Sequence, residues 1–251
     1  MLADDLRGMF YIALKDLRAY YFKPPNISWG ILFPFAFVLA FAIRNPGDPS
    51  TSSGQALREL APGLLALTLL FGTSSMEAIV ITFERRIGAL ERLLLAPVRL
   101  PALLAGKLLG GMVFGLTVTL VVLVVALIVF GAGGVNWLLL ALTLLLAAAA
   151  FAALGAFVSA AVKEIFEAQT LANFIRFPMM FLGGIFVPLS SMPPALQVVA
   201  RALPLTYAVE ALRAALDGRV SSTTALDLGA LAAFAAVLFW LAARTLARRV
   251  A

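Results

Sequence analysis

The sequence predicts an all-α integral membrane protein. It reads as one domain, residues 1–251, with six transmembrane helices and a leading amphipathic helix. Three observations predict this. Of the 251 residues 63% are hydrophobic and only 13% charged, with a mean hydropathy of +1.02, whereas a soluble domain is about half apolar and about a quarter charged. The apolar residues gather in runs near the membrane-spanning length of about 17–25 residues. Lys and Arg concentrate on alternate connections, which the positive-inside rule makes cytoplasmic.

Those basic connections account for the net charge of +6, so no nucleic-acid partner is expected. The chain has no Cys and no His. That excludes disulfide frameworks, Cys or His metal sites and Ser-His triads. Asp4, Asp5 and Arg7 stand where a cleavable signal peptide would need an apolar core, so none is expected.

Residues 1–25 repeat apolar side chains at Leu2, Leu6, Phe10, Ala13, Leu17 and Tyr21, with Asp4, Asp5, Arg7, Lys15, Asp16 and Arg18 on the other faces. This is too charged to span, and predicts a helix lying in the cytoplasmic interface. Pro24 and Pro25 end it. Residues 27–43 form the first span, with Trp29 at its interface. Residues 44–58 read as a Pro/Gly/Ser-rich outer loop, and 60–83 as the second span. The third, 103–130, carries two G-x-x-x-G spacings, Gly106/Gly110 and Gly111/Gly115, which permit close helix contact. A short turn, 131–136, leads past Trp137 into a fourth span ending near Ala161. Lys163, Glu164 and Glu167 mark a small cytoplasmic loop before the fifth span, 168–187. The sixth, 225–246, opens on a capping pattern, Thr224-x-x-Asp227, and ends in Arg244, Arg248 and Arg249. Both termini then lie inside, as do most of the 19 Lys and Arg.

Two interruptions break this pattern. Residues 83–107 carry Glu84, Arg85, Arg86, Glu91, Arg92, Arg99 and Lys107 between two apolar runs. The segment 88–95 predicts a short helix, with Glu91 and Arg92 polar and Leu90, Leu93 and Leu94 apolar, stopped by Pro97 and Pro101. In residues 178–218, Pro188, Pro193, Pro194 and Pro204 cut an apolar stretch into pieces too short to span. Short helices are expected at 195–203 and 205–216, the second with a self-paired stripe of Glu210, Arg213 and Asp217. Broken apolar helices are tolerated at membrane depth where protein or a cavity surrounds them.

These interruptions also carry a resemblance. E-R-R-x-G-x-L-E-R-L-L-x-A-P-V-R at 84–99 and F-L-x-G-x-F-x-P-L-x-x-M-P-x-x-L-Q at 181–197, continued by P-L-T-Y-A-V-E-A-L-R at 204–213, resemble type-two ABC export permeases. That family includes daunorubicin-type drug exporters and polysaccharide exporters. Ala89 departs mildly, standing where the family often has Thr. The resemblance implies that the loop 84–100 holds a cytoplasmic coupling helix docking on a separate ABC ATPase. Its residues would be Glu84, Arg85, Arg86, Gly88, Leu90, Glu91, Arg92, Leu93 and Leu94. It implies a re-entrant helical hairpin at 188–218 on the outer side, between helices 5 and 6. It implies two ATPase copies and a second permease copy, a homodimer, in contact with membrane lipid in a prokaryotic plasma (inner) membrane.

The chain has no phosphate loop, since Gly106-Lys107 is followed by Leu108 and lacks the upstream glycine. It is therefore expected to be no enzyme, with no catalytic residue, metal or cofactor of its own. ATP and Mg belong on the partner. In the family, spans two and five line the path, which nominates Phe71, Thr73, Ser74, Glu77, Phe177, Met180 and Phe181. Glu77 is the acid deepest in a span. It reads either as a cavity or gating carboxylate, with Arg176 or Lys163 as its candidate partner, or as part of a near-interface salt bridge that only orients the spans. Against 19 Phe stand 4 Tyr and 3 Trp, and sugar-stacking surfaces favour the latter two. The expected cargo is an amphiphilic or hydrophobic drug- or lipid-like molecule, with polysaccharide or glycolipid export as the alternative. A non-transporting scaffold and an intramembrane enzyme are the rival classes. The second lacks a His, a Cys or a second deep carboxylate.

Overall fold

A lipid-embedded backbone must satisfy its own polar groups, and a helix does so within one segment. The computed structural model describes residues 2–23, 36, 52–131 and 133–250, and every regular element among them is helical. The span expected at 27–43 lies outside the described residues except for residue 36, as does most of the outer loop.

Helix α1 (Leu2–Asp16) closes in a π-helical turn, Leu17–Tyr21. Helix α2 (Ser52–Leu70) continues through a second π-helical turn, Phe71–Ser75, into α3 (Met76–Arg86). The expected loop thus gives way to helix at 52–58, where Ala56, Leu57, Arg58 and Glu59 are all good helix formers. Gly88, at φ 69°, takes a left-handed conformation that only glycine adopts freely, and starts α4 (Ala89–Leu94) on a new axis. Arg99 caps α5 (Leu100–Phe130), with Pro101 in the first turn where its missing N–H costs nothing. Gly131, at φ 81°, ends it. The Asn136 side chain accepts from Leu139 N at 3.0 Å and starts α6 (Trp137–Ala161). Glu164 and Glu167 form a capping box on α7 (Ile165–Leu182).

Helices α8 (Pro194–Arg201) and α9 (Pro204–Leu216) meet at 93°, then α10 (Ser222–Val250) follows. The cap on α10 differs from the expected Thr224–Asp227 pair. Ser221 precedes the helix, and its N–H donates to Thr224 Oγ1 at 3.3 Å. Among the described residues no ion pair within 4 Å closes the expected Glu210–Arg213–Asp217 stripe either. Arg213 donates to the Gly184 carbonyl at 3.2 Å, because the chain leaving α7 passes within its reach.

Four described helices are long and apolar enough to cross a membrane: Arg58–Arg86, Leu100–Ile128, Trp137–Ala161 and Ser222–Arg248. The bent pair α8–α9 makes a fifth if it counts as one span. The expected fifth span, now α7, falls short of that apolarity, because Glu167, Gln169, Asn173 and Arg176 interrupt it.

The main core lies between α2, α6 and α9, where Leu65, Leu69, Phe151, Ala147, Val209 and Leu212 are buried together. Alanines along α6 let its neighbours approach closely. Helix α10 packs along α6 and turns most of its surface outward, with Leu226, Val237 and Trp240 exposed. An apolar outer face on a peripheral helix is what lipid contact requires. The glycines of α5 serve two contacts. Gly106 and Gly110 face α1 at Met9 and Tyr21, while Gly111 and Gly115 face Glu77 and Thr73.

Candidate functional site

The end of the bundle that carries α4 is organised by charge. Helix α1 lies along α5 and places Lys15 and Asp16 beside Glu84 of α3 and Lys107 of α5. Lys107 Nζ lies 3.1 Å from Asp16 Oδ2 and also donates to Glu84 Oε2. Lys15 Nζ reaches Glu84 Oε1 at 2.5 Å and Asp16 Oδ1 at 2.9 Å. Asp16, Glu84 and Lys107 are all fully buried. Burial alone would lower the Lys15 pKa, but the hydrogen bonds to Glu84 and Asp16 outweigh it and raise the value. Charges out of water need such mutual pairing. The cluster therefore fixes α1 to the two helices that flank α4.

A second ion pair ties the start of α1 to the end of the α4 loop. Asp5 accepts from Arg99 N at 3.2 Å and Nε at 2.7 Å. The hydrogen bonds from Arg99 hold the Asp5 carboxyl below its ordinary pKa. The folded value thus lies below the unfolded one. The contact contributes fully above the unfolded value and is lost as pH falls through the folded one. Acid is therefore expected to loosen the start of α1, and Asp5→Asn should abolish that acid sensitivity. Proteolysis of α1 measured against pH checks this, and an unchanged pH profile in the variant would contradict it.

Each nominated coupling residue has a definite place. Glu84 faces inward, in the charge cluster. Arg85 donates to the carbonyls of Ser159 (3.2 Å) and Val162, and Arg86 pairs with Glu164, so both brace α3 against the α6–α7 connection. Gly88 provides the turn. Leu90 is fully buried among Ile12, Ile81, Leu103 and Leu104, and Leu93 and Leu94 pack partly against the same cluster. Glu91 and Arg92 are exposed. The short helix α4 is therefore anchored by one leucine and presents its charges outward.

Deeper in the bundle, Glu77 lies between glycines. Its Oε1 accepts from Tyr21 Oη at 2.8 Å and from Gly111 N at 3.1 Å. It pairs with neither Arg176 nor Lys163, because Arg176 turns to Ser75 and Asn173, and the exposed Lys163 lies beyond the end of α6. Thr73 and Ser74 are buried, and their hydroxyls donate back to the Leu69 (2.7 Å) and Leu70 (2.6 Å) carbonyls. Phe71 is half-buried, and its ring lies 4.9 Å from the Arg176 guanidinium. Met180 is buried in the main core, whereas Phe174, Phe177 and Phe181 form an exposed stripe on α7. Within one chain, then, the seven path candidates do not share a surface. Thr73, Ser74 and Glu77 face α5 and α6, Phe71 and Met180 pack against the main core, and Phe177 and Phe181 are exposed.

Sequence reasoning did not single out Lys15, Asp16, Lys107 or Tyr21 as partners. The available signal was charge out of place: Lys107 early in an apolar run, and Asp16 beside the apolar stripe of α1.

The family model for ABC-2 type transporters matches residues 8–216. Nodulation protein J of Rhizobium meliloti (strain 1021) is 37% identical over 73 residues, 29% of this chain and 28% of that protein. The inner membrane transport permease YadH of Escherichia coli (strain K12) is 28% identical over 157 residues, 61% of this chain and 60% of that protein. In both cases the chain matches less than two thirds of the relative's length.

Proposed function

Because this chain belongs to the ABC-2 type transporter family, we propose that it is the permease subunit of an ATP-driven exporter in a prokaryotic inner membrane. Two copies would assemble with two separate ABC ATPases, which bind the ATP and Mg. The cargo would be an amphiphilic or hydrophobic, drug- or lipid-like molecule taken from the cytoplasm or the inner leaflet. The exposed phenylalanine stripe of α7 favours such a cargo over a polysaccharide.

The observation that carries this reading is the mounting of α4. Its outer charges, Glu91 and Arg92, are free for a partner, while Leu90 is buried against α1, α3 and α5. A push on α4 from an ATPase closing on ATP would pass through Leu90 and the charge cluster to the long helices. The two permease copies would then alternate between inward- and outward-open arrangements, with the bent pair α8–α9 as a re-entrant hairpin on the outer side.

The test is reversal of the outer charges. Glu91→Arg with Arg92→Glu should release the co-expressed ATPase while the permease stays folded. Each exposed pair contributes only about 0–1 kcal/mol, so either change alone should act weakly. Co-purification of the ATPase at wild-type stoichiometry with the double variant would defeat the assignment. Glu84 is left out because reversing it would disrupt the buried cluster. The orientation has its own check. With no Cys in the chain, Arg92→Cys should label from the cytoplasmic side alone, and Ser190→Cys from the outside alone.

A further inference from the structure

Two cations are buried among the described residues, and their surroundings differ. Lys107 has two carboxylates, from Asp16 and Glu84. Arg176, in the middle of α7 and 1% exposed, has only neutral partners. Its Nε donates to the Ala172 carbonyl at 3.0 Å, its Nη1 to Ser75 Oγ, and its Nη2 to Asn173 Oδ1 at 3.0 Å. The Phe71 ring covers one face. Glu77 is held instead by Tyr21 and Gly111. A guanidinium has five N–H donors, so this one keeps donors to spare, and among the described residues no carboxylate pairs with it. Ionisable groups inside a membrane are costly and persist where they pair or serve a pathway. What this site lacks is an anion. The planar fork of arginine fits a carboxylate or a phosphate with two parallel hydrogen bonds.

A second observation says what carries that anion. On a helix of about 100° per residue, Gln169, Asn173 and Arg176 form one stripe. Phe174, Phe177 and Phe181 form the adjoining one, exposed by 75%, 48% and 62%. Gln169 Oε1 is itself buried with no partner. A polar, cationic edge therefore borders an open aromatic face. Ser75 comes from the π-helical turn Phe71–Ser75, a kind of turn common at functional sites.

We infer that Arg176, with Asn173 and Ser75, binds the anionic head group of an amphiphile whose apolar tail lies on the phenylalanine stripe of α7. Phe71, Ser75 and Asn173 close over the guanidinium in this structure, so the head group enters when α7 parts from that turn. The inference rests on the permease reading and narrows its cargo to acids, carboxylate- or phosphate-headed, and away from cationic drugs.

The test needs no ATPase. The purified permease, in a neutral maltoside detergent, is titrated with dodecyl phosphate, phosphatidylglycerol, dodecyltrimethylammonium or inorganic phosphate, and its Tm is followed. Dodecyl phosphate should raise Tm saturably. Arg176→Gln should weaken its apparent affinity by about tenfold or more, the loss of one charge-assisted contact. Phe177→Ala should also weaken it, with little change in Tm before ligand is added. Comparing dodecyl phosphate with phosphatidylglycerol separates a single-chain cargo from a bilayer lipid, and an Arg176-dependent shift with either supports the site.

An equal shift from inorganic phosphate alone, an equal shift from the cationic detergent, or an undiminished shift in Arg176→Gln would each overturn it. If Arg176→Gln does not fold, Arg176→Lys decides. Lysine keeps the charge without the planar fork, so it must bind dodecyl phosphate more weakly than the wild type, and unchanged affinity would overturn the site. Failure here leaves the coupling role of α4 standing, and failure of the α4 reversal leaves this binding result standing.

Discussion

Lys107→Met is expected to destabilise the permease by about 3–5 kcal/mol, the usual result of removing one partner from a buried ion cluster. Lys107 is the cation shared by Asp16 and Glu84, and none of the three reaches solvent. Methionine fills much of the space but leaves two anions with only Lys15, whose side chain is 38% exposed. Because those anions come from α1 and α3, α1 should come away from the bundle first. The measurements are Tm in detergent and the rate at which protease cuts α1. Adding Glu84→Gln to Lys107→Met should recover part of the loss by neutralising one stranded anion, a coupling that a double-mutant cycle isolates. The reference is Arg86→Ala. It removes a half-exposed pair with Glu164 and should cost no more than about 1 kcal/mol. If Lys107→Met proves no worse than Arg86→Ala, the cluster does not hold α1 in place.

Gly155→Ala is the second change with a large expected effect. A Cβ at this position of α6 would stand 2.5 Å from the Ser74 carbonyl oxygen and 2.8 Å from Glu77 Cβ. The oxygen belongs to a helix backbone, so it cannot rotate out of the way, and α6 must move off the Phe71–Ser75 turn. Overpacking of this kind costs about 1–3 kcal/mol for small additions, and Gly155→Leu should exceed that range. Gly229→Ala is the opposite case. No heavy atom lies within 4 Å of the added carbon, and alanine is favoured over glycine in a helix by about 0.8–1 kcal/mol. It should raise Tm slightly. A fall in Tm for Gly229→Ala, or none for Gly155→Ala, would show that the helix spacing has been misjudged.

The sequence by itself determined that the chain is helical and apolar enough to lie in a membrane, and where several of its helices break. Those properties are local. Hydropathy marks the apolar runs, and Gly88, Pro97, Pro101, Pro193 and Pro204 mark the breaks through backbone chemistry that needs no knowledge of the rest of the fold. The short helix α4 matches its expected position to within a residue at each end for the same reason. The two interruptions, 84–99 and 181–213, also carried the strings that resemble the family to which the chain belongs.

Only the tertiary structure decided which charges meet. Asp16 and Lys107 are 91 residues apart, and Tyr21 and Glu77 are 56 apart. Nothing in the local pattern of either partner names the other. Glu84 reads as one more charge of the coupling loop, yet the last turn of α3 rotates it inward against Lys107, while Glu91 and Arg92 turn out. The two π-helical turns were equally hidden, since one extra residue in a turn leaves no mark on composition and changes only which side chains face which neighbour. Arg176 looked like half of a salt bridge with Glu77. Packing gave the two different partners, Ser75 and Asn173 for Arg176 and Tyr21 and Gly111 for Glu77, because side-chain pairing depends on distance and direction in space, and the sequence records only order along the chain.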